Sequence, residues 1–287
     1  MFQPILDTHI HIWDLSRADY SWLKNDTTVL NRSYTLQELE ADRRQTNVTA
    51  GILVQAAGNH EDTSLMLEAA KATSWIKGIV GWLPLMDPVA TQRLLEEKYL
   101  HEKYFRGVRH QVHDEKDPQW LLQPAVTDSL QILAYHNIPY DVVGVLPVHI
   151  ETAIKAADRV PGLRMVFDHL NQPPIAKKEK FGQWGKLMKT AAQHSNFYAK
   201  ISGLGTASGN GSRWTNNDLQ PYIEFALETF GPDRCFCGGD WPVSLLAGSY
   251  SKTWQSYEQV LSGLLKEDAK QKVLYANAKT FYGLEIL

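Results

Sequence analysis

Eight short apolar runs recur along the chain, and the stretches between them carry a different period, with apolar positions every three or four residues. The runs are PILDTHIHIW (4–13), VTAGILVQAA (48–57), IKGIVGWLPL (76–85), FRGVRHQVH (105–113), IPYDVVGV (138–145), LRMVFDHL (163–170), NFYAKISGL (196–204) and RCFCGGDWPV (234–243). Their starts lie about 25 to 45 residues apart, which suits strands joined by crossover helices rather than hairpins. Between 219 and 230, Leu219, Tyr222, Ile223, Ala226, Leu227 and Phe230 share one helical face. Trp254, Tyr257, Leu261, Leu264 and Leu265 do the same after the last run. Proline suits a first helical turn, so helix starts are predicted at Asp87-Pro88, Asp117-Pro118 and Leu146-Pro147. Eight strand–helix units without a low-complexity linker predict an α/β fold, a single (β/α)8 barrel over residues 1–287. A doubly wound open sheet would carry a glycine-rich loop after its first strand. Here HIHIWD runs instead into a long loop (15–34), which a barrel places on its catalytic face.

Composition narrows the class of function. Of 287 residues, 44% are hydrophobic and 21% charged, ordinary for a globular protein. The net charge of −3 provides no basic field for nucleic acid or an anionic membrane. No run approaches the ~18 apolar residues of a membrane span. The first apolar segment carries Asp7, His9 and His11 without a basic start, unlike a signal peptide, so the expected compartment is the cytoplasm. AKKEKF (176–181) mixes charges and reads as a solvated loop. Cys235 and Cys237 fall on one face of a strand and read as reduced core thiols.

Strand alternation then sorts candidate chemistry. In the first run, Leu6, Ile10 and Ile12 share one face, and Asp7, His9 and His11 the other. Turning the apolar set toward the helices aims both histidines into the barrel. In the sixth run, alternation allows one of Asp168 and His169 to serve the mouth. His169 is preferred, with Leu163, Met165 and Phe167 in layers below it and Asp168 as a strand-end anchor. The eighth run ends in Gly238, Gly239 and Asp240, where an acid can act as general base or metal ligand. The fourth offers Arg109, Gln111 and His113 inward, with His110 adjacent; an arginine there can clamp a carboxylate or polarise a carbonyl. The seventh turns Tyr198, Lys200 and Ser202 inward, and Asp240 is the expected partner of Lys200. Trp13, Trp22, Trp82 and Trp241 lie near strand ends or in the first loop, where they can stack on a sugar face.

LDTHIHIWD, YSWL, RGVRH, VFDHL, AKISGL, FGPDRCFCGGDWPV and NAKTFYGL occur in that order from about residue 5 to 285. Together they resemble the amidohydrolase-related (amidohydrolase 2) barrel family that contains L-fuconolactonase, L-rhamnonolactonase and 2-pyrone-4,6-dicarboxylate lactonase. The resemblance implies a (β/α)8 barrel of the amidohydrolase type that hydrolyses a lactone ester, with His9, His11, His169 and Asp240 as the core site. The sugar-lactone branch is the nearer one, through HIHIWD, YSWL and RGVRH. Gly239 departs from the family's small hydroxyl residue before the acid, which is expected to loosen a local hydrogen bond. Binuclear relatives need a carboxylated lysine on the fourth strand and a histidine on the fifth. This chain offers Arg109, His110 and Gln111 on the fourth, and on the fifth no histidine before His149 in the next helix. Two states stay open: no metal, or one divalent ion on His9, His11 and Asp240, with zinc the first candidate. No organic cofactor is expected.

The expected reaction is ring opening of an L-fucono- or L-rhamnono-1,4-lactone-like substrate by water. Asp240 relays the proton, and His169 with Arg109 or His110 stabilises the oxyanion. Arg109, His110, Gln111, Lys200, Trp22 and Trp241 are the candidate substrate contacts. The alternatives are a metal-dependent decarboxylase on the same barrel, a hydrolase of a dicarboxylate lactone, and a non-catalytic sugar-acid binding barrel. The small lactone is the expected partner, without nucleic acid or membrane, and a homo-oligomer is left open.

Overall fold

The computed structural model describes residues 4–285, so the first three and last two residues of the expected 1–287 domain lie outside the described residues. Eight strands pair in parallel in chain order. They are β1 (Ile5–Ile10), β2 (Val48–Val54), β3 (Ile76–Gly81), β4 (Phe105–Gln111), β5 (Tyr140–Val143), β6 (Met165–Phe167), β7 (Phe197–Ile201) and β8 (Cys235–Cys237). Each lies inside one predicted run. β1 meets β8 through a parallel bridge between Ile10 and Trp241 rather than a long ladder. Two backbone bonds close this seam, Asp240 N–H to the His9 carbonyl and His11 N–H to the Trp241 carbonyl, both 2.7 Å. Helices alternate with the strands, so the result is a (β/α)8 barrel. Among the described residues, no helix is long and apolar enough to cross a membrane.

Two proline-led starts fall where predicted. Pro88 opens the helix Pro88–Glu97, where Asp87 accepts the Ala90 N–H at 3.0 Å, and Pro147 opens Pro147–Arg159. No α-helix begins at Asp117-Pro118. The Asp117 side chain instead accepts the Gln119 N–H at 2.9 Å in a turn, and the helix starts at Pro124. The apolar faces at 219–230 and 254–265 fall on the helices Asn216–Phe230 and Tyr250–Leu264, with Leu265 at the extended cap just past the second. Both cysteines are buried and free, and residues 176–180 are exposed.

The core has two parts. The larger lies between the barrel and its helices and holds Ile10, Val108, Met165 and Phe167 with the helical faces. The smaller fills the amino-terminal end of the barrel: Leu6, Ile52, Val54, Val80, Val166 and Phe236, closed below by Phe281, Tyr282 and Leu284. This corrects two strand-face assignments. On β6, Val166 faces the barrel interior, whereas Leu163, Met165 and Phe167 pack outward, Phe167 stacking on Phe197 at 4.7 Å. On β1, Leu6 faces inward and Asp7 does not. A register shift between Asp7 and Ile10 inserts an extra residue opposite β2, and such a bulge reverses the parity of side chains across it.

Candidate active site

The bulge in β1 separates Asp7 from the histidines it was expected to accompany. Asp7 lies at the seam, where its carboxylate accepts Gly239 N–H at 2.8 Å, His9 N–H at 2.9 Å and Tyr250 O–H at 2.7 Å. Complete burial nevertheless pushes its pKa up to about 6. Past the bulge, His9 and His11 both turn inward, their rings edge-on with centroids 4.8 Å apart. His11 Nδ1 is 2.7 Å from the Val54 carbonyl, which can only accept. Nδ1 therefore donates to that carbonyl, and Nε2 faces Asp240 Oδ1 at 3.6 Å. His9 Nε2 is 3.8 Å from the same oxygen, and its Nδ1 is 3.6 Å from Asp168 Oδ1. Burial holds the His9 pKa well below the ordinary imidazole value.

Across the seam, Asp240 adopts a left-handed backbone (φ 57°), with its N–H on the His9 carbonyl and its own carbonyl accepting Ser244 N–H at 2.7 Å. Gly239 does not loosen this corner. Its N–H is the one held by Asp7, and a Cβ there would lie 2.5 Å from Tyr250 and 2.6 Å from Asp7, so no larger residue fits without displacement.

β6 contributes two side chains where alternation allowed one. After Asp168 the chain turns left-handed for four residues, His169 to Gln172 (φ 49–58°), so the strand's two-residue period ends there. Asp168, expected to be a strand-end anchor, points inward, fully buried, and accepts Arg109 Nη1 at 3.2 Å. His169 stands 3.9 Å from Asp240 Oδ1 through Nε2, and its Nδ1 is 2.8 Å from Ser202 Oγ. Gly203 (φ 61°) backs this pair; a Cβ on it would come within 2.7 Å of the His169 ring and 3.0 Å of Asp240. Burial lowers the His169 pKa.

A charged layer separates these groups from the apolar plug. Lys200 is fully buried, with Nζ 2.6 Å from Asp141 and 2.7 Å from Asp168, not beside Asp240 as expected. Burial opposes its charge, but the two carboxylates outweigh that and raise its pKa. Burial likewise opposes the charge on Asp168, which Lys200, His9 and Arg109 hold well below the carboxylate range. Burial pushes Asp141 up to about 6. Tyr282 donates to Asp141 at 2.8 Å, so the carboxy-terminal segment reaches this layer. Arg109 hydrogen-bonds Asp168, the Gln55 carbonyl and His9 Nε2, the last at 3.2 Å. Lys200 thus lies buried between two carboxylates and, contrary to expectation, does not line the cavity at the mouth.

A cavity of about 230 Å³ opens above these groups at the carboxyl ends of the strands. His11, Arg109, His169 and Asp240 line it, joined by Trp22 and Gln111 as expected. His113 and Thr206 line it too. Besides Lys200, two expected contacts lie elsewhere. His110 turns outward from β4 and stacks on Trp120 at 3.9 Å, with Nε2 2.7 Å from Glu115, so it does not line the cavity. Trp241 is buried edge-on against Tyr34, and Trp13 and Trp82 likewise do not line the cavity. The sequence reading missed Asp141 and Gln55 and undervalued Asp168; an acid on a barrel strand opposite an inward lysine is the signal that could have found Asp141.

The metal question has a geometric answer for the ligands. One donor atom each from His9, His11 and Asp240 lie within 4.8 Å of one another. The outer nitrogen of His11 is fixed by a carbonyl and that of His9 faces a carboxylate, the support usual for metal-bound imidazole. Three nitrogen and oxygen ligands fit a single divalent ion with an open position.

A family model described as Amidohydrolase matches residues 6–284. An L-fucono-1,5-lactonase of Burkholderia ambifaria is 31% identical over 98% of this chain and 96% of its own length. A second L-fucono-1,5-lactonase, from Burkholderia multivorans, is 28% identical over 97% and 96%. A crystal structure of an amidohydrolase from Burkholderia multivorans with bound zinc superposes with a TM-score of 0.89 at 27% identity, covering 98% of this chain and 99% of that one.

Proposed function

The chain belongs to the amidohydrolase family, and from that premise we propose that it is a lactonase that opens a sugar-acid lactone of the L-fucono or L-rhamnono type with water. One observation carries the reading: Asp240 Oδ1, on the cavity wall with His11 and His169, lies 3.6–3.9 Å from the Nε2 atoms of those two rings and of the buried His9. A carboxylate set among three imidazole rings supports activation of water beside a carbonyl. The cavity volume, about 230 Å³, is below the ~300–1,000 Å³ of drug-sized sites and suits a single ring.

In this mechanism Asp240 accepts a proton as water attacks the ester carbonyl. Arg109 and His169 face the oxygen on which negative charge develops, and a donor already in place costs no reorganisation. As the ring C–O bond breaks, Asp240 returns the proton to the departing alkoxide, giving the open hydroxy acid. Asp168 and Lys200 act below, holding Arg109 and His9 in position. His9, His11 and Asp240 would hold a divalent ion, zinc first, whose chemistry there is polarisation of the carbonyl and acidification of water. Trp22 offers an aromatic edge to the sugar.

The test is a pH-indicator assay of the purified protein against a panel of aldonolactones, 1,4 and 1,5, before and after chelation, with metal content measured by mass spectrometry. Acid release above the uncatalysed rate with a subset of stereoisomers is expected. Failure on the whole panel, with and without added zinc, would sink the reading.

A further inference from the structure

The carboxyl end of β2 lends three successive carbonyls to the site. Val54 accepts His11 Nδ1 at 2.7 Å, Gln55 accepts Arg109 Nη2, and Ala56 accepts Trp22 Nε1 at 2.9 Å. All three side chains line the cavity, so the placing of this short segment sets three parts of its wall. Trp22 itself sits in the long first loop, on a short turn between the buried Tyr20 and Leu23.

One carboxylate ties that segment to that loop. Asp62 Oδ2 accepts Ala56 N–H at 3.0 Å, and its Oδ1 accepts Tyr20 O–H at 2.9 Å. Asp62 lies in the first turn of the helix His60–Ala72, where an acid ordinarily serves its own helix end. Here Asn59 is the cap and takes the Asp62 N–H at 2.9 Å, while the Asp62 carboxylate reaches outward. The same Asn59 donates its amide to the Asp19 carbonyl at 2.9 Å, a second tie to the loop. Asp62 is fully buried, and burial pushes its pKa up to about 6 despite these donors, so the position is a costly one for an acid. What a carboxylate adds over an amide is a second acceptor oxygen, and the two oxygens serve two different elements.

We propose that Asp62 is a positioning residue for substrate binding: by holding Ala56 and Tyr20 at once, it fixes Trp22 as the wall against which the lactone ring lies. The proposal rests on the lactonase reading and extends it to a residue outside the cavity.

Two variants of the full chain test it, Tyr20→Phe and Asp62→Asn. With fluorotryptophan incorporated, the nine tryptophans report by fluorine NMR, and the line missing from Trp22→Phe belongs to Trp22. Both variants should shift or broaden that line and leave the line of Trp184, on the helix Gly182–Ala192, in place. On the aldonolactone hydrolysed fastest, Tyr20→Phe should raise KM about fivefold, the order of one hydrogen bond, with kcat within about twofold. Asp62→Asn leaves one acceptor oxygen for two donors. It should raise KM at least as far and, through Gln55 and Arg109, also lower kcat. The proposal is overturned if KM stays at the wild-type value in both variants, or if the Trp22 line moves in neither. A merely structural role gives both of those results, with only the melting temperature and the folded fraction lowered. The line is read without substrate. Inactivity on every lactone would therefore sink the lactonase reading, while the line still decides whether Asp62 places Trp22.

Discussion

The two ends of the barrel interior are built on opposite principles. The amino-terminal end is closed by Leu6, Ile52, Val80, Val166, Phe236 and the carboxy-terminal Phe281, all buried and apolar. The mouth packs His9, His11, His169, Arg109, Asp168 and Asp240 into similar depth. Apolar packing is non-directional, so many neighbours share each contribution. Hydrogen-bonded charges are directional, and each leaves a partner exposed to desolvation when lost. The lower end should therefore tolerate change in function while losing stability, and the mouth the reverse, with the Lys200 layer failing in both respects.

The sharpest way to break that contrast is Asp240→Asn. Loss of the proposed proton acceptor is expected to lower lactone turnover about 10³-fold, within the range for general acid–base groups, with the circular dichroism spectrum unchanged. Near-wild-type turnover would remove Asp240 from the role of base. Lys200→Met tests the layer between: it leaves Asp141 and Asp168 buried without their common cation. Urea denaturation should show a loss of about 3–5 kcal/mol. Phe281→Ala at the plug should cost about 3 kcal/mol of stability yet leave kcat/KM within about threefold. A collapse of kcat/KM there would mean that the two ends are not separable.

The smallest effect is expected at the seam. Burial raises the folded-state pKa of Asp7 from 3.8 to about 6, so the unfolded chain loses this proton first as pH rises. The carboxyl's contribution is full below pH 3.8 and lost through pH 6. The stability gap between wild type and Asp7→Asn should therefore narrow across that window, by on the order of 2–3 kcal/mol. Paired urea titrations at pH 4 and pH 7 would measure it, and a constant gap would show an ordinary carboxyl.

Much of this molecule was legible because βα spacing and strand alternation are local signals. The eight runs contain the eight strands, and residues at their carboxyl ends, His9, His11, His169 and Asp240, converge as read. What escaped were interruptions of the local period. The bulge after Asp7 reversed the parity of β1, and the left-handed turn from His169 to Gln172 admitted Asp168 beside His169. Partners across the barrel also escaped. Lys200 is 59 residues from Asp141 in sequence, and nothing local to either residue selects that pairing over Asp240. His110 shows a third cause: Trp120 and Glu115, beyond the strand's end, supply the surroundings that hold it outward.

The seam between β1 and β8 has a consequence for how the molecule comes into being. Gly239 N–H reaches Asp7 across 232 residues of sequence, so this contact closes a loop of nearly the whole chain. Closing long loops comes at an entropic cost repaid only once distant contacts form. His9 and Asp240 sit on the two sides of that closure and have no shared surroundings before it. A partly folded chain can hold seven strands and still have no reaction centre. Recovery of turnover after dilution from denaturant is thus a clock for the final closure, and it should lag every optical signal of secondary structure.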